Sequence, residues 1–224
     1  MNLAMKDSQS NVKLRPLQPR VLHLGEGVIV LDKPAGWLTI PGRAAPGTEA
    51  PPILVDWLEQ SPDSPVRGGK AWIVHRLDRE TSGVIVFART AESHRALCMA
   101  FENRETKKIY ECLASGNPPL PVFKVAEPIG GVPSQSQVEV LRRSDMGFHA
   151  RVRIFTGRRH QIRIHLSNRG YPIWGDVRYG GAMEIRGKVI SRVALHARKL
   201  EIPGWGAFES ELPGDFQTWL EELQ

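Results

Sequence analysis

Asp78 stands between Arg76 and Arg79, and Thr81, Ser82 and Gly83 follow it before the chain enters an apolar stretch over 84–88. Arginines beside a carboxylate favour its charged form. An ionised carboxylate held against its target can act as a covalent nucleophile. The same residues also fit a plainer use, an aspartate that caps a turn and pairs with a neighbouring arginine. Thr81 and Ser82 bring hydroxyls that can hold the loop, and Gly83 permits a positive φ or a close backbone approach. Further on, eight arginines (142, 143, 151, 153, 158, 159, 163 and 169) fall between Arg142 and Arg169 against one acid, Asp145. A cationic run built from arginine suits bidentate contacts to phosphate and points to a polyanionic partner. From Glu201 onward there are six acids and no Lys or Arg, so the net charge of +6 is unevenly distributed.

Other chemistries find little support. Cys98 and Cys112 are isolated, without metal-ligand spacing, and read as reduced, buried side chains. His160 and His165 are five apart, with no cysteine or carboxylate at a useful distance, so no metal site is expected. His75, His165 and His196 read as hydrogen-bonded scaffold or phosphate contacts. No phosphate-loop or dinucleotide fingerprint is present.

The elements that must position Asp78 are mostly strands. Residues 28–31 read as a buried strand and 32–36 as a turn. Residues 41–52 form a Pro/Gly loop, and a short helix is expected over 53–59. Strand material over 73–74 and 84–88 brackets the Asp78 loop. Thr90 is a good N-cap for a helix over 91–103. Residues 108–114 return to strand. Over 147–155 apolar and polar residues alternate, with His149, Arg151 and Arg153 on one face, which predicts a half-buried strand with a cationic outer side. Residues 158–168 fit either period and are assigned to a helix closed by Gly170. Scattered helices among many strands predict an α+β fold with a mixed, mostly antiparallel sheet. No run approaches the length of a membrane span. The first 20 residues lack a signal-peptide core and read as a flexible arm ahead of one domain over 21–224. A cytoplasmic protein is expected.

Several motifs in order resemble the RluA-type pseudouridine synthases. His75-Arg76-Leu77-Asp78 with Thr81-Ser82-Gly83 matches the family's HRLD-x-x-TSG motif at every fixed position. The turn at 32–36 is similar to the first motif, and Lys108-Ile109-Tyr110 resembles K-x-Y. Residues 156–166 match TGR-x-HQ-[IL]-R-x-H, 170–176 resemble G-x-P-[IL]-x-GD, and Leu195-His196-Ala197 resembles the closing LHA. The resemblance runs from about 21 to about 217. The family's S4 RNA-binding domain has no counterpart, so a stand-alone catalytic domain is expected.

The resemblance implies an isomerase that converts uridine to pseudouridine in structured ribosomal or transfer RNA, with flanking helices around a central RNA-binding cleft. Asp78 would be the nucleophile at C1′, or would assist a glycal route by deprotonating C2′. Tyr110 would stack on the uracil and move the C5 proton, and Arg163 would pair with Asp78. Arg76 would fill the gap left by the flipped base, and Ile162 would pack on the uracil or in the core. Arg79, Arg151, Arg153, Arg158, Arg159, His160 and Gln161 are the expected RNA contacts. No cofactor or metal is implied, and a monomer is the default. A non-catalytic RNA-binding protein or RNA chaperone on the same scaffold is the alternative.

Overall fold

The computed structural model describes residues 17–42 and 50–224. The expected arm over 1–20 lies almost wholly outside the described residues, as does the middle of the 41–52 loop. In chain order the elements are β1 (Arg20–Leu24), β2 (Val28–Lys33), α1 (Leu54–Gln60), β3 (Trp72–Ile73), β4 (Ser82–Ala88), α2 (Ala91–Glu102), β5 (Lys107–Ala114) and β6 (Val122–Val125). They continue with β7 (Ser136–Ser144), β8 (Gly147–Ile154), α3 (Gln161–Asn168), a 3-10 turn (Val177–Tyr179), β9 (Glu184–Ile185), β10 (Lys188–Val189), β11 (Leu195–Ile202), β12 (Gly206–Glu209) and α4 (Gly214–Glu221).

One large sheet runs in the order β1-β2-β4-β11-β5-β8-β7-β6, with β12 on β11 and β3 beside β4. Its pairings are antiparallel except for β4 and β11, which run parallel with His196 opposite Ser82 and Ala197 opposite Gly83. This is the α+β, mixed and mostly antiparallel sheet expected from the sequence. A late strand, β11, thus occupies the middle of the sheet and joins β4 to β5.

β4 is buried at every position, which fits its unbroken apolar run, because both faces are covered. Ile85 and Phe87 join Ile29, Leu31, Leu54, Trp57 and Leu58 under α1. Val84, Val86 and Ala88 join Val28, Val30, Leu97 and Leu200 under α2. Thr90 caps α2 as expected, and Ser93 completes a capping box. A third cluster, with Cys112, Phe148, Ala150, Val152, Ile162, Leu166 and Trp174, lies beneath α3. The clusters under α1 and α3 meet at Tyr110, which packs against both.

Gly83 shows why the β4–β11 junction needs glycine. Its φ is +112°, and a Cβ there would lie 2.2 Å from the Ala197 carbonyl oxygen. β2 is longer than expected: Asp32 and Lys33 belong to the strand, and the turn begins at Pro34.

Candidate active site

The 77–81 loop is tied down through its backbone. Lys33 is fully buried, and its ammonium donates to the carbonyls of Pro34 (3.0 Å), Trp37 (2.8 Å) and Arg79 (3.1 Å). Burial above all, with Arg192 adding repulsion, pulls the Lys33 pKa down to about 7. Gly36 N–H also donates to the Arg79 carbonyl at 2.8 Å. Thr39 Oγ1 donates to the Leu77 carbonyl and accepts from its N–H, each at 3.3 Å. Arg192 Nη1 reaches the Glu80 carbonyl at 3.3 Å while the same guanidinium grips Asp215 of α4 through two bonds, at 2.6 and 2.9 Å. The Ser82 hydroxyl bonds Nδ1 of His196 at 2.9 Å across the parallel junction. Thr81 N–H closes the turn onto the Asp78 carbonyl at 3.1 Å. With its backbone fixed from three directions, the loop presents the half-exposed Asp78 side chain.

The second half of the site comes from the 156–160 loop and α3. The expected helix over 158–168 begins three residues later, at Gln161, because the Gln161 side chain pins the preceding loop. Its Oε1 accepts from Thr156 Oγ1 (2.7 Å) and Arg158 N–H (3.1 Å). Its Nε2 donates to the Gln135 carbonyl (2.9 Å) and Ser136 Oγ (3.0 Å). Gln161 is buried with both ends of its amide engaged, so it braces the loop and leaves no donor for RNA, a correction to its expected role. His160 takes a left-handed conformation, φ 55°, at the N-cap. Gly170, φ +79°, follows the helix where a closing glycine was expected.

Arg163 emerges from α3 between two carboxylates. Its Nη1 is 3.6 Å from Asp78 Oδ2, and its Nε and Nη2 make a bidentate pair with Asp176 at 2.6 and 2.7 Å. Burial works against the guanidinium charge, but the hydrogen bonds and charge of Asp176, with Asp78 behind them, raise the Arg163 pKa. Asp176 therefore holds the arginine, and the arginine faces Asp78. His160 Nε2 lies 3.7 Å from Asp78 Oδ1, and its Nδ1 is 2.9 Å from the Tyr179 hydroxyl. Burial pushes His160 below the usual imidazole range, so it stands beside Asp78 as a mostly neutral ring. The sequence neighbours are not the partners of Asp78. Arg79 turns out to solvent near Glu80, 3.6 Å away, and no ion pair joins Arg76 to Asp78 among the described residues.

Asp78 opens into a cavity of about 170 Å³ lined by Arg76, Leu77, Thr81, Tyr110, Ile154, 157–163 and Leu195. That is close to the roughly 150 Å³ that accommodates a benzene ring. Tyr110 forms one wall, and burial, then Asp78, pushes its phenol well above the usual range, so it stays protonated. Ile162 is buried in the α3 core and also lines the cavity. Arg76, Arg158 and Arg159 ring the mouth.

Arg151 and Arg153 lie elsewhere. In the β5–β8 ladder, Arg151 is opposite Glu111, Arg153 opposite Ile109, and Val152 opposite Tyr110. Directly opposed residues share a face, so both arginines point to the far side of the sheet from Asp78. There Arg151 pairs with Glu139 at 2.9 Å, and Arg153 lies over the Phe155 ring. The alternation of β8 was legible, but which face carries the site was not. The histidines outside the site serve as scaffold. His75 Nε2 accepts from Val86 N–H, His165 bonds Ser136 and the Glu127 carbonyl, and His196 bonds Ser82 and the Ser210 carbonyl. Lys33, Asp176, Tyr179 and Arg192 are site-supporting residues to which no role was assigned from sequence. Asp176 had a signal in the Gly175-Asp176 pair, and Lys33 one as a lysine closing an apolar strand.

A carboxylate fixed on a strapped loop, faced by a buried arginine and opening under a cationic rim, suits chemistry on one base taken out of a nucleic acid strand. Residues 27–168 match the family profile described as RNA pseudouridylate synthase. Ribosomal large subunit pseudouridine synthase D of Pseudomonas aeruginosa is 34% identical across 98% of this chain and 76% of its own. The protein of the same name from Neisseria meningitidis serogroup A is 29% identical across 100% of this chain and 67% of its own. The solved structure of human RNA Pseudouridylate Synthase Domain Containing 4 superposes with a TM-score of 0.70 at 21% identity, covering 91% of this chain and 92% of that one. The chain belongs to the RNA pseudouridylate synthase family, and its activity is the isomerisation of uridine in RNA to pseudouridine.

Proposed function

We propose that the enzyme modifies a uridine in a stem-loop of ribosomal RNA, or failing that of transfer RNA, with Asp78 as the group that opens the N1–C1′ bond. The observation that carries the assignment is the Asp78 carboxylate at the floor of a base-sized cavity, with Arg163 at 3.6 Å and His160 at 3.7 Å. As nucleophile, an Asp78 oxygen bonds C1′ while N1 leaves with the bonding pair. As base, Asp78 takes the C2′ proton and the same N1–C1′ bond breaks. In either route the freed uracil turns within the cavity, C5 bonds C1′, and Asp78 regains its starting form. The C5 proton then leaves and a proton returns to N1. Tyr110, held as a neutral phenol beside Asp78, contributes its ring face. It relays the C5 proton only by giving up its own as it accepts. Ile162 lines the same cavity.

Arg158, Arg159 and Arg79 hold phosphates at the rim, and Arg76 enters the gap in the strand. The names of the relatives favour ribosomal RNA. Two free cysteines suit a reducing cytoplasm, and among the described residues no helix is long and apolar enough to cross a membrane.

Tritium release from RNA labelled at uridine C5 tests the assignment. Wild type releases tritium from ribosomal RNA and Asp78→Ala releases none. Equal release by the two proteins would remove Asp78 from the reaction, and release from neither ribosomal nor transfer RNA would remove the substrate assignment.

A further inference from the structure

A second groove opens on the Tyr110 side of the uridine cavity. It holds about 490 Å³ and is lined by residues 74–76, Phe101, Glu102, Arg104, Lys108, Tyr110 and 154–158. Arg76, Tyr110, Ile154, Gly157 and Arg158 line both spaces, so the groove and the cavity are continuous. Four cations (Arg76, Arg104, Lys108 and Arg158) face one carboxylate, Glu102, and among the described residues none of the four has a carboxylate oxygen within 4.0 Å. Arg151, Arg163, Arg169 and Arg192, by contrast, are each paired with a carboxylate.

Two groups in the groove lack what their burial calls for. Arg158 Nε is shut off from solvent and has no hydrogen-bond partner. Lys108, opposite Ile154 in the ladder and so on the same face as Tyr110, is half-buried, with its Nζ beside Gly157 and 5.6 Å from the Phe101 ring centroid. Burial, and then the Arg104 charge, push its pKa below the ordinary lysine value. An anion seated in the groove would relieve both. Two aromatic rings of the lining already carry partners, with His75 stacked on Phe101 at 4.7 Å and Arg153 over Phe155 at 4.7 Å. The groove therefore offers charge and donors suited to a sugar–phosphate backbone.

We infer that this groove is a phosphodiester subsite, in which Lys108, Arg104 and Arg158 seat the backbone of the RNA strand on one side of the uridine. It rests on the RNA reading above and adds Lys108 and Arg104 to the ligands. Its position fixes the course of the strand, which leaves the uridine cavity past Tyr110 and runs toward the end of α2. The sheet's far face has a groove of similar size, about 480 Å³, but its lysines and arginines other than Arg153 are engaged by Glu111, Glu139, Glu201 and Glu209.

The test measures binding of a hairpin RNA with a uridine loop as a function of salt, alongside tritium release from ribosomal and transfer RNA. Each phosphate contact removed lowers the slope of log affinity against log salt by about one. Arg104→Asn and Lys108→Gln should each lower it by that amount. Lys199→Gln, on the far face, should match wild type. Arg104 is exposed with φ 60°, a conformation asparagine tolerates, so Arg104→Asn keeps the fold even if Lys108→Gln does not. Slopes equal to wild type in both groove variants would overturn the subsite while tritium release by wild type left the proposed function intact. A wild type that fails to bind the hairpin, or releases no tritium, would overturn the RNA reading itself.

Discussion

Asp176→Asn isolates the part of the site that holds Arg163. Asp176 is 1% exposed and Arg163 7%, and two bonds of 2.6 and 2.7 Å join them. Asparagine keeps one acceptor but sets an N–H group against a guanidinium N–H at a place closed off from solvent. It also removes the charge that offsets burial of the arginine. Breaking a buried pair from one side costs about 3–5 kcal/mol. For a chain of this size each kcal/mol moves the melting temperature by about 2–4 °C, so a fall of roughly 6–20 °C is expected. Arg163 would then turn its charge toward Asp78, now 3.6 Å away, and shift the carboxylate. A displacement of about 1 Å costs on the order of a hundredfold in rate. Thermal unfolding followed by circular dichroism, and tritium release below the new melting point, read the two effects separately. Arg163→Met combined with Asp176→Leu removes both charges and should recover much of the stability without recovering activity. A melting temperature within about 2 °C of wild type together with an unchanged rate in Asp176→Asn would refute the account of Arg163 as an arm held by Asp176.

Lys33→Met tests the buried ammonium through pH. The unfolded lysine keeps its proton up to 10.5, and the folded one loses it near 7, so between those values the unfolded chain binds more protons and stability rises with pH. Relative to Lys33→Met, wild type should gain up to about 5 kcal/mol between pH 7 and 10.5, at about 1.4 kcal/mol per pH unit; denaturant unfolding across that range reads it, and a difference that stays flat or falls would be contrary. Gly83→Ala places a methyl group 2.2 Å from the Ala197 carbonyl oxygen in a backbone region that suits glycine. The β4–β11 junction must then separate, and a loss above about 3 kcal/mol or failure to fold is expected, whereas a normal denaturation midpoint would show that the contact can relax.

What the sequence disclosed and what it withheld divide along the range of the interactions. Asp78, the capped helix after Thr90 and the alternation of β8 are short-range patterns, and each appears in the structure. Lys33 braces a carbonyl 46 residues away and Arg192 one 112 residues away, and no local spacing announces either. The arginine run from 142 to 169 looked like one surface, but strand alternation and the turn into α3 send its members to different places. Arg163 goes into the site, Arg158 and Arg159 to its rim, and Arg151 and Arg153 to the far face. Much of the acidic tail is spent on cations, with Glu201 on Lys107 and Lys199, Glu209 on Lys199, Asp215 on Arg192 and Glu222 on Lys188. Arg163 was correctly paired with Asp78. Its stronger bond to Asp176 was missed because the pair forms only when the loop after α3 folds back over it.

The place of β11 between β4 and β5 bears on how the enzyme is made. A chain emerging from the ribosome delivers Asp78, Tyr110 and Arg163 well before residues 195–202, yet the strands that carry Asp78 and those that carry Arg163 are neighbours only through β11. Until that strand inserts, the nascent protein is two half-sheets with no shared cavity, since Leu195 and Ala197, the partner of Tyr110 on β11, are still missing. Every reactive side chain is then present and none is assembled. Synthesis and competence are separated by one strand, so a chain that stalled just short of it would expose two unfinished sheet edges and be more prone to aggregate than to modify RNA.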